Sequence, residues 1–124
     1  MKQYDPNITP DPASWLALDE AARIDLVLDY HADSGLEIDN ERVHATLHVV
    51  VENQVALAEV SVPATVERLL RQGLDRHEAV HAIGAVLLGD MHLLLKSERE
   101  QFDLHRYRSR LNKLTAKKWR TGKY

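Results

Sequence analysis

The stretch that decides the fold is residues 75–95, DRHEAVHAIGAVLLGDMHLLL. Its apolar residues recur at helical spacing, and Asp75 followed three residues later by Glu78 is typical of a capping box at a helix N-terminus. The pattern predicts a helix that starts after Asp75 and extends to about Lys96. Gly84 leaves room for a neighbouring helix to approach closely, so this helix is expected to be packed inside a bundle.

Four further segments show helical spacing of apolar residues, with start or stop signals at their ends. They are predicted at about residues 12–30, 40–59, 63–72 and 97–116. Asp11 is the expected cap of the first, and Asp39 or Asn40 of the second. No segment alternates with period two for long enough to form a sheet. The sequence therefore predicts an all-α fold, a compact bundle of four to five helices.

Length and composition are those of one globular domain. The chain has 124 residues, so residues 1–124 are predicted to form a single helical domain, with a mobile, proline-containing lead-in at 1–10. There is no cysteine, which excludes disulfides and thiolate metal sites. Any metal must be held by nitrogen and oxygen. No apolar run follows the N-terminal lysine, so a cytoplasmic protein without membrane contact is expected.

The charge is divided unevenly along the chain. Residues 1–105 carry eight Lys or Arg against nineteen Asp or Glu, whereas residues 106–124 carry eight basic residues and no acidic one. The basic C-terminal segment, residues 97–124, is expected to be a helix with a frayed end. Aromatic residues among the charges are compatible with binding nucleic acid. The segment could equally dock on the acidic body of its own chain or of a second copy in a homo-oligomer.

Four of the seven histidines form two pairs at four-residue spacing, His44 with His48 and His77 with His81. Each pair lies on one face of a predicted helix, and Glu52 shares the face of the first pair. Buried imidazoles and carboxylates are costly unless they bind one another or converge on a cation. The pattern predicts a divalent metal site with these five residues as ligands, Glu52 serving as an additional ligand or as an orienting group. Zinc is the first expectation and iron the second, with manganese and nickel also compatible.

A metal-free function fits the same residues. The two polar faces would then form a buried His and Glu network inside a helical interaction module, and the basic tail would be its docking arm. His31, His92 and His105 each stand alone in the sequence and are predicted to lie outside any site.

The order His77, Glu78, His81 also matches the H-E-x-x-H signature of zinc peptidases, in which the glutamate activates the metal-bound water. A third ligand would be needed, and Glu100 has a suitable spacing. However, a helix continuing past Leu95 would put Glu100 about 28 Å along the axis from His81. The catalytic residues of this third hypothesis, a metallohydrolase, stay unknown, with Glu78 as the one candidate.

Two motifs in order carry a resemblance to a known family. NERVHATLHVVVENQVAL is followed by RLLRQGLDRHEAVHAIGAVL. The pair resembles a family of small bacterial proteins, catalogued as a domain of unknown function, that combine an H-x-x-x-H helix with a later R-H-[DE]-x-x-H-x-I-G helix. The resemblance covers about residues 40–90 and implies that His44, His48, Glu52, His77 and His81 act as one group. It also implies that Asp can replace Glu78, which suits a cap better than a catalytic base.

Overall fold

A computed structural model describes residues 1–33, 40–59, 61–96 and 101–124. Within those ranges the chain forms seven helices and no strand. They are α1 (Pro12–Leu16), α2 (Glu20–Asp33), α3 (Glu41–Ala56), α4 (Val62–Arg71), α5 (Arg76–Lys96), α6 (Leu104–Lys113) and α7 (Ala116–Arg120). The predicted all-α bundle is confirmed. The number of helices exceeds the expected four to five because two predicted helices are each divided in two.

α5 is the central helix, and it contacts α3, α4 and α6. Its start is as predicted, since the Oδ1 of Asp75 accepts the backbone N–H of Glu78 at 2.7 Å. α3 and α5 approach closely at Gly84, where an added Cβ would lie only 3.7 Å from the Cβ of Leu47. This close approach brings the faces of α3 and α5 that carry histidines together.

α5 is also long and apolar enough to cross a membrane, with a mean hydropathy of 1.4 over its most apolar 18 residues. It is the one helix of the described residues that meets this criterion. A core helix enclosed by other helices meets it equally well.

The predicted first helix is interrupted at residues 17–19, where α1 ends and α2 begins. Asp19 starts α2 by accepting the backbone N–H of Ala22 at 2.8 Å. The guanidinium of Arg23 reaches back to the carbonyl oxygens of Trp15 and Leu16, at 3.0 and 3.1 Å. The expectation of one continuous helix was wrong because these two side chains satisfy the backbone groups that a break exposes.

The N-terminal lead-in packs against the bundle, contrary to the expectation of a mobile segment. Tyr4 is buried with 4% of its surface exposed, and its ring lies 5.7 Å from the ring of Trp15. The carbonyl oxygen of Pro6 accepts a hydrogen bond from buried Arg76. The ring of Tyr4 and the guanidinium of Arg76 hold this segment against the bundle, whereas its prolines alone would leave it extended.

The C-terminal segment forms two short helices rather than one with a frayed end. Asp103 caps α6, so residues 101–103 are not helical, and the predicted start at Ser97 lies outside the described residues. Thr115 caps α7. Arg68 of α4 donates to the carbonyl oxygens of Leu111 and Leu114 at the junction of the two helices. These contacts fix the junction, and α7 lies over the bundle.

Candidate metal centre

Three histidine side chains converge between α3 and α5. The Nε2 of His81 lies 2.8 Å from the Nε2 of His44 and 2.9 Å from the Nε2 of His48. The four-residue spacing on α3 puts His44 and His48 one turn apart on the face that meets α5. His48 is buried and the other two are partly buried. The predicted convergence of the two histidine-bearing helices is therefore present in the fold.

The fourth member of the cluster is His31, near the end of α2. One ligand atom from each of His31, His44, His48 and His81 lies within 4.8 Å of the other three. The Nδ1 of His31 donates to the carbonyl oxygen of Val27 at 2.8 Å, so its neutral ring carries the lone pair on Nε2. Sequence reasoning placed His31 outside the site. A signal was present, because His31 follows the core residue Val27 by one helical turn and shares its face.

His77 borders the cluster, although it is not one of those four residues. Its ring lies 4.2 Å from that of His81 and 5.2 Å from that of His48, measured between centroids. Its Nε2 is buried and has no hydrogen-bond partner among the described residues. The H-E-x-x-H pair thus contributes one residue to the group of four and a second residue beside it.

A chain of hydrogen bonds runs from His48 away from the cluster. The hydroxyl of Tyr4 donates to Oε2 of Glu52 at 2.6 Å, so its oxygen accepts from Nδ1 of His48 at 3.1 Å. The neutral ring of His48 consequently has its hydrogen on Nδ1 and its lone pair on Nε2, facing the cluster. Histidine ligands of metals are typically oriented by such a bond from the second ring nitrogen. Sequence reasoning missed Tyr4, because it lies in the lead-in, 44 residues from His48.

Glu52, predicted as a ligand or an orienting group, is fully engaged elsewhere. Its two oxygens bind Arg76 at 2.7 and 2.8 Å, and one of them also accepts from Tyr4. Glu52 is 1% exposed and Arg76 is 5% exposed, so this is a buried ion pair. Glu52 therefore reaches the histidines only through Tyr4. Arg76, which sequence reasoning did not single out, neutralises its charge.

The environment keeps the imidazoles of His44, His48 and His81 neutral. Burial, together with the neighbouring imidazoles, lowers the pKa of His44 to about 4 and that of His81 to about 3, from an ordinary value of 6.5. The same two causes lower the pKa of His48 further, and burial also lowers the pKa of His77. The neutral ring is the form that binds a metal.

These pKa shifts predict acid sensitivity of the metal-free protein. Below pH 6.5 the histidines of the unfolded chain gain protons, whereas His44 and His81 of the fold do not until about pH 4 and 3. The free energy of unfolding should therefore fall as the pH drops from about 6.5 towards 3, with no contribution above 6.5. Urea unfolding of the chelator-treated protein between pH 7.5 and 4.5 measures this. A His44→Gln, His81→Gln variant should lose less stability over that range, and an equal loss would contradict the assignment.

The cluster has too few hydrogens for its nitrogens. A nitrogen of a neutral imidazole either donates one hydrogen or accepts through one lone pair, yet Nε2 of His81 contacts two such nitrogens. With the lone pair of His48 fixed on Nε2, no choice of tautomers for His44 and His81 gives each of the two contacts its own hydrogen. A cation takes a lone pair from each ring instead. Nitrogens around a tetrahedral Zn²⁺ stand about 3.3 Å apart, so the contacts of His81 with His44 and His48, now 2.8 and 2.9 Å, would need to lengthen by only about half an ångström to admit the ion.

Glu78, His92 and His105 lie apart from the cluster. Glu78 is exposed at the start of α5, where its backbone N–H binds the cap residue. His92 and His105 are exposed, in agreement with their predicted place outside the site. Glu100, the third ligand of the peptidase hypothesis, lies outside the described residues.

The fold and the site define a class, an all-α bundle with a cluster of four histidines at metal-binding distance. No family model, no curated protein and no solved structure matches the chain. The resemblance to the bacterial H-x-x-x-H family rests on its two motifs and stays a prediction.

Proposed function

We propose that this protein binds one divalent transition metal ion through the imidazoles of His31, His44, His48 and His81. The observation that carries the proposal is the contact of Nε2 of His81 with two further Nε2 atoms at 2.8 and 2.9 Å. Like lone pairs are brought this close at a cost that a shared cation removes. His77 stands beside the site, with its ring 4.2 Å from that of His81.

The donor set supports zinc first. Four neutral nitrogen ligands suit the tetrahedral preference of Zn²⁺, and imidazole also suits Fe²⁺, Ni²⁺ and Cu²⁺. Mn²⁺ is less favoured than the sequence suggested. It prefers carboxylate ligands, and Glu52, the carboxylate predicted at the site, is bound by Arg76. A structural or a catalytic role is compatible with this set, and Glu78 supplies no base near the metal.

Elemental analysis of the purified, tag-free protein tests the proposal. About one equivalent of a transition metal is expected, and a chelator should remove it while lowering the melting temperature. Less than about a tenth of an equivalent after incubation with Zn²⁺, with melting unchanged by the chelator, would overturn the proposal. The metal-free interaction module would then be the better reading of the buried His and Glu network.

A Tyr4→Phe substitution should lower the affinity for Zn²⁺ without unfolding the chain. It removes the hydroxyl that orients His48, and losing such an orienting partner typically costs 10- to 100-fold in metal affinity. A competition titration with a chromophoric chelator measures the Zn²⁺ affinity. Tyr107→Phe is the matched control, because it removes a buried hydroxyl that binds Gln54 at 2.9 Å and touches no histidine of the cluster. Equal Zn²⁺ affinity of both variants would contradict the orienting role of Tyr4.

A further inference from the structure

A cavity of about 210 Å³ adjoins the histidine cluster. Three of the clustered side chains, His44, His48 and His81, form one part of its wall. The rest of the wall is apolar and is formed by Leu47, Val80, Gly84, Ala85, Leu88 and Trp119. Trp119 comes from α7, so the basic C-terminal segment covers this side of the cluster. The cavity has the size of a small ligand rather than of a peptide.

The charges around the cluster are unbalanced once a divalent ion is bound. Four imidazoles are neutral ligands and leave two positive charges on the site. The buried carboxylate of Glu52 cannot offset them, because it is already paired with Arg76 at 2.7 Å. Asp5 acts on His77 and Asp75 acts on both His77 and His81, but both carboxylates are exposed, and solvent screens their charges. The described walls of the cavity contain no carboxylate.

We propose that the cavity binds a small monoanion with an apolar body, of the short-chain carboxylate class, whose charged end coordinates the metal. This inference rests on the proposed metal site. The anion offsets part of the metal's charge, and its hydrocarbon part lies against Leu88, Ala85 and Trp119. Tetrahedral zinc can expand to five ligands, so the anion needs no histidine to leave. Neutral or cationic molecules of the same size lack the charge that the site requires.

The apolar wall of the cavity predicts how the length of the carboxylate's chain should affect binding. Each methylene that leaves water for an apolar wall strengthens binding by about fourfold. Butyrate carries two methylenes more than acetate, and both should fit within 210 Å³. Butyrate should therefore bind about 15-fold more tightly than acetate. 1-Butanol, which has the same chain and no charge, should bind far more weakly than butyrate.

The experiment uses the full chain loaded with Co²⁺, whose visible spectrum reports the number and kind of its ligands. Butyrate, acetate and 1-butanol are titrated in turn at constant ionic strength. Butyrate should change the spectrum at about one fifteenth of the acetate concentration. A Co²⁺-loaded protein whose spectrum responds to neither carboxylate, or responds equally to both, overturns the cavity proposal and leaves the metal site intact. Failure to bind Co²⁺ at all overturns the metal site and the cavity proposal together.

Ala85→Leu separates the cavity from the metal. Ala85 lines the cavity and is not a ligand, so a larger side chain there should fill the space while Co²⁺ still binds at one equivalent. The preference for butyrate over acetate should fall to about twofold or less. Ala64→Leu makes the same change on the exposed side of α4 and should keep the full preference. An undiminished preference in Ala85→Leu would place the carboxylates elsewhere and overturn the proposal.

Discussion

Replacing His81 with alanine is expected to lower the affinity for Zn²⁺ by about 100- to 1000-fold. Zinc bound by a structural protein site contributes on the order of 10–16 kcal/mol, so each of four ligands accounts for roughly a quarter of it. His81 is the central member, since its Nε2 contacts those of both His44 and His48. A double His44→Ala, His81→Ala variant should retain less than about a tenth of an equivalent of metal. Elemental analysis and competition titrations measure both effects.

A series of single alanine variants distinguishes the ligand set of the structure from that of the sequence. His31→Ala should lower the Zn²⁺ affinity about as much as His81→Ala, because both residues belong to the group whose ligand atoms lie within 4.8 Å of one another. His77→Ala should lower the Zn²⁺ affinity by about tenfold or less, because it removes only a neighbouring ring. His92→Ala, at an exposed position of the same helix α5, is the matched control and should have no effect. If His31→Ala left the Zn²⁺ affinity unchanged and His77→Ala lowered it by about 100-fold or more, the ligand set predicted from the sequence would be the correct one.

Local sequence signals sufficed for much of the fold. Asp75 and the apolar spacing after it located α5, and Gly84 indicated the close approach to α3. The divided helices were less accessible, because a break depends on contacts that the sequence does not display. At residues 17–19 the deciding contact is the return of Arg23 to two carbonyl oxygens. Helical spacing continues across such a break, so periodicity alone joins the two parts.

The site followed the same division. His44, His48 and His81 could be predicted, because four-residue spacing on two helices is visible in one dimension. Tyr4 could not be predicted, because it enters from the N-terminal segment. His31 was missed because no second histidine stands at helical spacing from it, and its one signal is the face that it shares with Val27. Arg76 was missed for another reason. It directly precedes the H-E-x-x-H motif, and its role depends on Glu52, which lies 24 positions earlier. Long-range pairing is what the fold adds to the sequence.

Arg76→Met is expected to reduce the free energy of unfolding by about 3–5 kcal/mol. The substitution keeps the volume of the side chain roughly constant but leaves the carboxylate of Glu52 buried without its cation, which is the costly way to break a buried pair. Arg76 also donates to the carbonyl oxygen of Pro6 at 2.9 Å, so the N-terminal segment should loosen. Urea unfolding at pH 7.5, followed by circular dichroism, measures the loss.

The cost should come from the unpaired charge rather than from lost packing, and a second substitution separates the two. Glu52→Gln in the Arg76→Met background removes the charge and keeps an oxygen that accepts from Tyr4, so at least half of the lost stability should return. Arg42→Met, at an exposed position of α3, should change stability by no more than about 0.5 kcal/mol. A loss below about 1 kcal/mol for Arg76→Met would mean that water reaches Glu52 and that the pair is not buried in solution. Water would then compete with Glu52 for the hydroxyl of Tyr4, which accepts from His48.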